Sequence, residues 1–431
     1  MPLDLQLHRM VRLLQVLGNP HLSSWKAVHV AGTNGKGSVC AYLSQILTLS
    51  KVKNGRFTSP HMLYVNDSIC VNNKPVSLAF FETVQKRVIG ANDKMQVGAT
   101  EFEILTCTAF EIFKLAKVEV AVIEVGLGGR LDATNVIPAH KEGESFGVVA
   151  TGITKIGLDH EGILGSTLAA IAGEKAGIIK PGVPCVVDGS NANEALEVFK
   201  RVADEQGVML TVSNPKETTS FGEVKRFKIG LLGKYQHANL SVTLKLAQLL
   251  VDPRITQETV AEGISSVKWP GRLQTLRLPL LPDSVEILLD GAHNGSAADE
   301  LAAFVDTNLR PEGDIVYVFA ATKGKVLDPI MKPLFSNRDT VILTEFSPVD
   351  GMPWVSAYET ADLKIQVQKY TDKVYESSNP IEAIKLAGQL KESNGSVVVC
   401  GSLYLAADIL RLERKLLDVV PDEYTPNAGT E

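Results

Sequence analysis

The string Ala31-Gly32-Thr33-Asn34-Gly35-Lys36-Gly37-Ser38 constrains this chain more than any other feature. An apolar run, KAVHVA at 26–31, enters it, and Val39, Leu43, Ile46 and Leu47 recur behind it at helical spacing. A strand that turns through glycines into a helix can aim successive backbone N–H groups inward, and the helix N-terminus adds partial positive charge. With the full charge of Lys36 the arrangement reads as a phosphate cradle. The spacing departs from G-x-x-x-x-G-K-S/T, because Gly37 separates Lys36 from Ser38 and Val30 stands at the first glycine position. On spacing alone a ligand-free tight turn competes; strand, loop and helix together favour a nucleotide.

The first half of the chain continues to alternate apolar runs with helical patterns, as a mostly parallel sheet does. VEVAVIEV (118–125), VVATGI (148–153) and VPCVV (183–187) read as buried strands, and residues 164–179 as a helix. The rhythm breaks at Trp269-Pro270-Gly271-Arg272, with Pro279 and Pro282 close behind, which suits a domain junction. A second alternation follows, VEILL (285–289), IVYVF (315–319), VIL (341–343) and VVVC (397–400). The expectation is an α/β protein of two domains. A larger N-terminal phosphate-loop domain spans 1–282, and a smaller Rossmann-like α/β domain spans 283–431, with a loosely ordered tail after Asp418. A length of 431 residues also exceeds what one core usually organises.

Charge and composition remove several classes. The formal net charge is −6 with no basic stripe, so nucleic acid is not an expected partner. No apolar run approaches the roughly 20 residues of a membrane span. Cys40, Cys70, Cys107, Cys185 and Cys400 are odd in number and scattered, which fits small buried hydrophobes in a reducing compartment better than disulfides or zinc. Met10, Leu13, Leu14 and Leu17 have helical spacing beside Arg9 and Arg12; Asp4 and the lack of Ser favour an ordinary first helix over a mitochondrial presequence. A cytoplasmic protein is expected, with a mitochondrial one as the alternative.

Four further residues stand out. Glu124 ends an apolar run and is followed by Gly126-Leu127-Gly128-Gly129-Arg130. Burying its charge alone would be costly, so it pairs either with a cation such as Arg130 or with Mg²⁺ at the phosphate loop. His160, in Gly157-Leu158-Asp159-His160, is by itself more often structural than functional. Ser59, in Phe57-Thr58-Ser59-Pro60-His61, by itself marks a turn. Lys175 is either a solvated helical lysine or a partly buried one, whose amine would be more readily neutral and open to CO₂.

In chain order, HVAGTNGKGS (29–38), FTSPH (57–61), EVGLGGRLDATN (124–135), LDHEGILG (158–165), EKAGIIK (174–180), WPGRLQ (269–274) and DGAHNGSAA (290–298) resemble the folylpolyglutamate synthase and dihydrofolate synthetase family of Mur-ligase-like, ATP-dependent amide ligases. The extra glycine of GKGS is the family's form. The resemblance implies that residues Gly32 to Ser38, with Lys36 foremost, hold ATP together with Asn239, Arg272 and Asp290. Ser59, Glu124 and His160 would hold Mg²⁺, and Lys175, as a carbamate, would help hold a second ion. Lys36, Lys175 and His160 would be catalytic, and His293 would lie near the inter-domain site. The implied reaction phosphorylates a pterin carboxylate from ATP and attacks the acyl phosphate with the amine of L-glutamate; a monomer is the family default.

The acceptor is dihydropteroate, a tetrahydrofolate monoglutamate, or, in a bifunctional enzyme, both. TEFEILTCTAF (100–110), DGAHNGSAA and GMPW (351–354) resemble the fungal dihydrofolate synthetases and point to 7,8-dihydropteroate. A nucleotide-binding protein without catalysis and a cell-wall ligase for a UDP-linked substrate are the rivals. Glu124, His160 and Lys175 disfavour the first, and a phosphate loop starting at residue 32 disfavours the second. The loop around 57–64 and the segment 18–24 are candidates for holding the pterin. Lys323 and Lys325 either meet substrate or are solvated.

Overall fold

The computed structural model describes residues 6–282 and 285–426. The first sheet uses β1 (Lys26–Ala31), β2 (Asn54–Phe57), β3 (Ile69–Val71), β4 (Lys74–Pro75), β5 (Val120–Glu124), β6 (Gly147–Ile153), β7 (Cys185–Asp188) and β8 (Leu210–Ser213). Their spatial order is β4-β3-β2-β5-β1-β6-β7-β8. Only the β2–β3 and β3–β4 pairs are antiparallel, so the expected mostly parallel sheet is present. Strands covered on both faces need apolar residues at every position, and the burial shows why. Ala27, Phe57 and Ile123 face a core made with the helices His8–Val16, Leu78–Lys94 and Glu101–Leu115. Val28, Val30 and Val122 face a second core made with Lys36–Leu49, Gln236–Leu249 and Gln257–Ser266.

A two-stranded hairpin, β9 (Thr218–Thr219) and β10 (Gly222–Glu223), stands outside both sheets. The second sheet comprises β11 (Gln274–Leu276), β12 (Ile287–Leu289), β13 (Ile315–Phe319), β14 (Thr340–Leu343), β15 (Val374–Glu376) and β16 (Ser396–Cys400), in the order β11-β12-β16-β13-β14-β15. Only β11 runs antiparallel. Along β13, Ile315, Tyr317 and Phe319 point to one layer of helices and Val316 and Val318 to the other. The second domain is therefore the α/β layer expected from the sequence. Its sheet already begins with β11, ahead of the division expected at 282/283, and positions 283 and 284 lie outside the described residues.

Two local expectations meet the structure differently. Met10, Leu13 and Leu14 of the first helix are fully buried, while Asp4 lies outside the described residues. The tail beyond Asp418 is not loose throughout. Tyr424 donates its N–H to Pro75 O (2.7 Å) and accepts from Ser77 N (2.8 Å), its ring lies against Phe80, and Asp422 pairs with Lys74. Polar and proline-rich composition hid this because the attachment is made mainly by backbone groups. Among the described residues no helix is long and apolar enough to cross a membrane.

Candidate active site

β1 delivers the chain to the phosphate loop at the carboxyl edge of the sheet, where ligands of open α/β sheets sit. Gly35 takes φ +94° immediately before the helix Lys36–Leu49, a conformation that strains any side chain. The first turn of that helix holds no acidic residue, so its free N–H groups face the cleft without an anion of the helix's own. Thr33 and Asn34 both donate backbone N–H to Lys155 O, and Thr154 Oγ1 donates to Asn34 O at 2.8 Å, which fixes the loop to the end of β6. The extra glycine also has a structural reason. A Cβ at Gly37 would lie 2.7 Å from Cζ2 of Trp269, whose ring carries the guanidinium of Arg56 5.0 Å from its centroid.

Glu124 ends β5 beside this loop and is buried. Its partner is not Arg130, which bonds Glu174 at 2.9 Å, but Lys36, whose Nζ lies 3.7 Å from Glu124 Oε1. Burial raises the Glu124 carboxyl above its ordinary range, against the opposing pull of Lys36, Arg272 and the backbone N–H of Ser59. Ser59 is thereby placed next to Glu124 by the turn after β2.

Lys175 is buried rather than solvated, and its Nζ donates to Gly32 O at 2.8 Å. Burial, with Lys36 adding repulsion, lowers its amine to about 7. His160 adopts φ +54° before a short helical turn, with a half-exposed side chain beside Asp159, and burial outweighs Asp159 in lowering its pKa.

The second domain closes the cleft. Asp290, at the end of β12, accepts from Leu273 N and Ala292 N at 2.8 Å each; burial raises its carboxyl while Arg272 opposes. His293 Nδ1 sits 2.8 Å from Gly291 O, which can only accept, so Nδ1 carries the proton and Nε2 is left as an acceptor in the cleft wall. Burial, reinforced by Lys325, lowers His293 to about 4. Asn239 reaches the loop from the helix Gln236–Leu249; its Oδ1 would lie 2.2 Å from a Cβ at Gly35.

The residues singled out by the sequence, from Gly32 to Ser38 through Ser59, Glu124, His160, Lys175, Asn239 and Arg272 to Asp290 and His293, all line this one cleft of about 980 Å³. Lys325 lines it too, paired with Asp159 at 2.5 Å, while Lys323 is exposed. Sequence reasoning passed over Asp159, Asn294 and Trp269 although each stands inside a motif it quoted; their value lies in partners distant along the chain. Among the described residues no three His, Cys, Asp or Glu side chains converge as a ready-made metal site.

The chain also matches known proteins. The family described as dihydrofolate synthetase, C-terminal domain, matches residues 274–412. A dihydrofolate synthetase of Saccharomyces cerevisiae is 41% identical over 435 residues, covering 97% of this chain and 100% of the yeast one. The chain belongs to the folylpolyglutamate synthase and dihydrofolate synthetase family. It is therefore a ligase. Two solved members of the family share its whole architecture. The Mycobacterium tuberculosis folylpolyglutamate synthase complexed with ADP and AMPPCP matches with a TM-score of 0.82 and 26% identity, over 97% of this chain and 96% of the other. The bifunctional folylpolyglutamate synthase/dihydrofolate synthase of Yersinia pestis, complexed with AMPPNP and a Mn ion, matches at 0.79 and 25%, over 97% and 95%.

Proposed function

We propose that this ligase joins the amine of L-glutamate to the carboxylate of 7,8-dihydropteroate, converting ATP to ADP and phosphate and yielding 7,8-dihydrofolate. The observation that carries the reading is the single cleft in which the phosphate loop, buried Glu124 and buried Lys175 face Arg272 of the inter-domain crossing and Asp290 and His293 of the second domain. The 41% identity to a dihydrofolate synthetase over nearly the whole chain supports dihydropteroate as acceptor.

A carboxylate does not condense with an amine in neutral water, so it is first phosphorylated by the γ-phosphoryl group of ATP. Lys36 and Arg272 hold the anions that crowd together in that step. The N–H groups of the loop and the start of the helix Lys36–Leu49 hold the phosphates. Glutamate enters from the second domain, where His293 Nε2, an acceptor at neutral pH, suits its ammonium group. Once the ammonium has lost a proton to solvent, the amine attacks the acyl carbon; the tetrahedral intermediate breaks its bond to the phosphate oxygen, and phosphate leaves as the nitrogen sheds its second proton. Closure of the cleft keeps water from the acyl phosphate.

The donor set fits Mg²⁺. This ion keeps several waters and takes one or two carboxylates plus substrate phosphates rather than a full protein cage. Glu124, Ser59 and His160 would supply the protein side. Lys175, neutral in part near pH 7, would react with CO₂; the resulting carbamate would replace a repelled cation by an oxygen ligand for a second ion. Bound Mg²⁺ would withdraw electron density from the phosphoryl group and screen its charge. Five free, buried cysteines support a reducing compartment such as the cytoplasm.

The test supplies purified protein with ATP, Mg²⁺ and L-glutamate, and either 7,8-dihydropteroate or tetrahydrofolate monoglutamate. A gain of one glutamyl unit on dihydropteroate alone is expected. A gain on tetrahydrofolate alone would make the chain a folylpolyglutamate synthase, and activity on both a bifunctional enzyme.

A further inference from the structure

Four side chains from four segments meet where the domains touch. Asn34 belongs to the phosphate loop and Asp159 to the loop after β6. Asn294 is the N-cap of the helix Gly295–Asn308 in the second domain, and Lys325 lies in the loop after β13. Asn34 and Asn294 make a reciprocal amide pair. Asn34 Nδ2 donates to Asn294 Oδ1 at 3.3 Å, and Asn294 Nδ2 donates to Asn34 Oδ1 at 3.1 Å. Asn294 Nδ2 also donates to Asp159 Oδ2 (3.2 Å), and Lys325 Nζ donates to Asp159 Oδ1 (2.5 Å).

The orientation of this network is fixed by its surroundings. Asn294 Oδ1 also accepts from Ala297 N at 2.9 Å, as a helix cap must, so the opposite amide flip would set N–H against N–H. Tyr358 Oη donates to Lys325 O, which holds the lysine loop, and Asp159 is almost enclosed, with a side chain 10% exposed. The other side-chain bonds of the loop, from Thr33 to Gly157 O and between Ser38 and Gln236, stay within the first domain. Asn34 is thus the point where the second domain grips the loop, one residue from Gly35 and two from Lys36.

We propose that Asn34, Asn294, Asp159 and Lys325 form a latch that sets the phosphate loop for phosphoryl transfer only while the second domain is docked. They are positioning residues. The latch links arrival of the domain that brings glutamate to the shape of the loop that holds the phosphates, so ATP is not spent in an open cleft. This inference rests on the ligase reading above.

The test is a double-mutant cycle on glutamate-dependent ADP release. Asn294→Ser keeps a capping oxygen for Ala297 N but removes the amide, and Asn34→Ala removes the other half. Groups that act through one mutual bond are non-additive. Each single variant is therefore expected to lose kcat about tenfold with KM for ATP within about twofold of the parent, and the double variant also about tenfold. A roughly hundredfold loss in the double variant, or a single variant with unchanged kcat, overturns the latch. Asp159→Asn combined with Asn294→Ser repeats the cycle from the other end, should Asn34→Ala disturb the loop itself, and additive losses there overturn it equally. Failure of the ligase reading would show separately, as a parent protein that releases no ADP.

Discussion

Replacing Gly37 by Ala should damage the phosphate loop without touching any charged group. The new Cβ would lie 2.7 Å from Trp269 Cζ2 and 3.1 Å from Cε2. Carbon atoms pack best at about 3.5–4.0 Å, so the loop and the indole must separate by close to 1 Å. Trp269 cannot simply swing away, because Arg56 covers its ring and its apolar body packs on the core that contains the helix Lys36–Leu49. Overpacking of this kind costs about 1–3 kcal/mol. If the strain falls on the loop, nucleotide affinity drops roughly 5- to 150-fold, at about 1.36 kcal/mol per factor of ten. If it falls on the packing, the urea midpoint drops instead. Fluorescent ADP titration and urea unfolding on the same preparation read both terms. Trp269→Phe removes Cζ2 and should restore much of what Gly37→Ala loses. Gly37→Ala with parental affinity and parental midpoint would refute the reasoning, as would a double variant no better than the single one.

Lys175, lowered to about 7 where an ordinary lysine titrates near 10.5, becomes a neutral nucleophile as pH rises from 6 to 8. Ligation should climb over that interval, fall when CO₂ is stripped and return with bicarbonate, whereas Lys175→Arg should be inactive under all three conditions. His21 is lowered to about 4 by burial, its Nδ1 unpartnered, against an unfolded value of 6.5. The unfolded chain therefore binds the extra proton first, and stability should fall by about 3 kcal/mol as pH drops from 6.5 to 4, a slope that His21→Gln should flatten in urea titrations. Truncation after Val420 removes the two backbone bonds of Tyr424 and its contact with Phe80. A loss of about 2–3 kcal/mol is expected, and an unchanged urea midpoint would deny the tail any hold.

The strands that were legible are those buried on both faces. IVYVF was read as residues 315–319 and is β13 without a shift, and the runs at 26–31, 148–153 and 397–400 agree within a residue. β2, β3, β4, β8, β11 and β15 escaped, being short, polar or at sheet edges, where only half the residues need be apolar. The site divides the same way. Gly32 to Ser38 and Glu124 announce themselves by local contrast, a glycine cluster after a strand or an acid within an apolar run. Asn294 and Asp159 do not, because what matters about them is a partner 260 or 135 residues away. Burial of Lys175 likewise depends on Gly32 O, 143 residues distant.

The return of the tail to β4 has a mechanical consequence. The second domain is tied to the first at the 267–273 crossing and again where Tyr424 joins Pro75 and Ser77. A body fastened at one point can swivel in any direction, whereas one fastened at two can only turn about the line between them. With Leu63 seated in the second domain's core and accepting from Arg411 Nε as a further attachment, the second domain is held facing one side of the phosphate loop and its freedom to turn away is cut down.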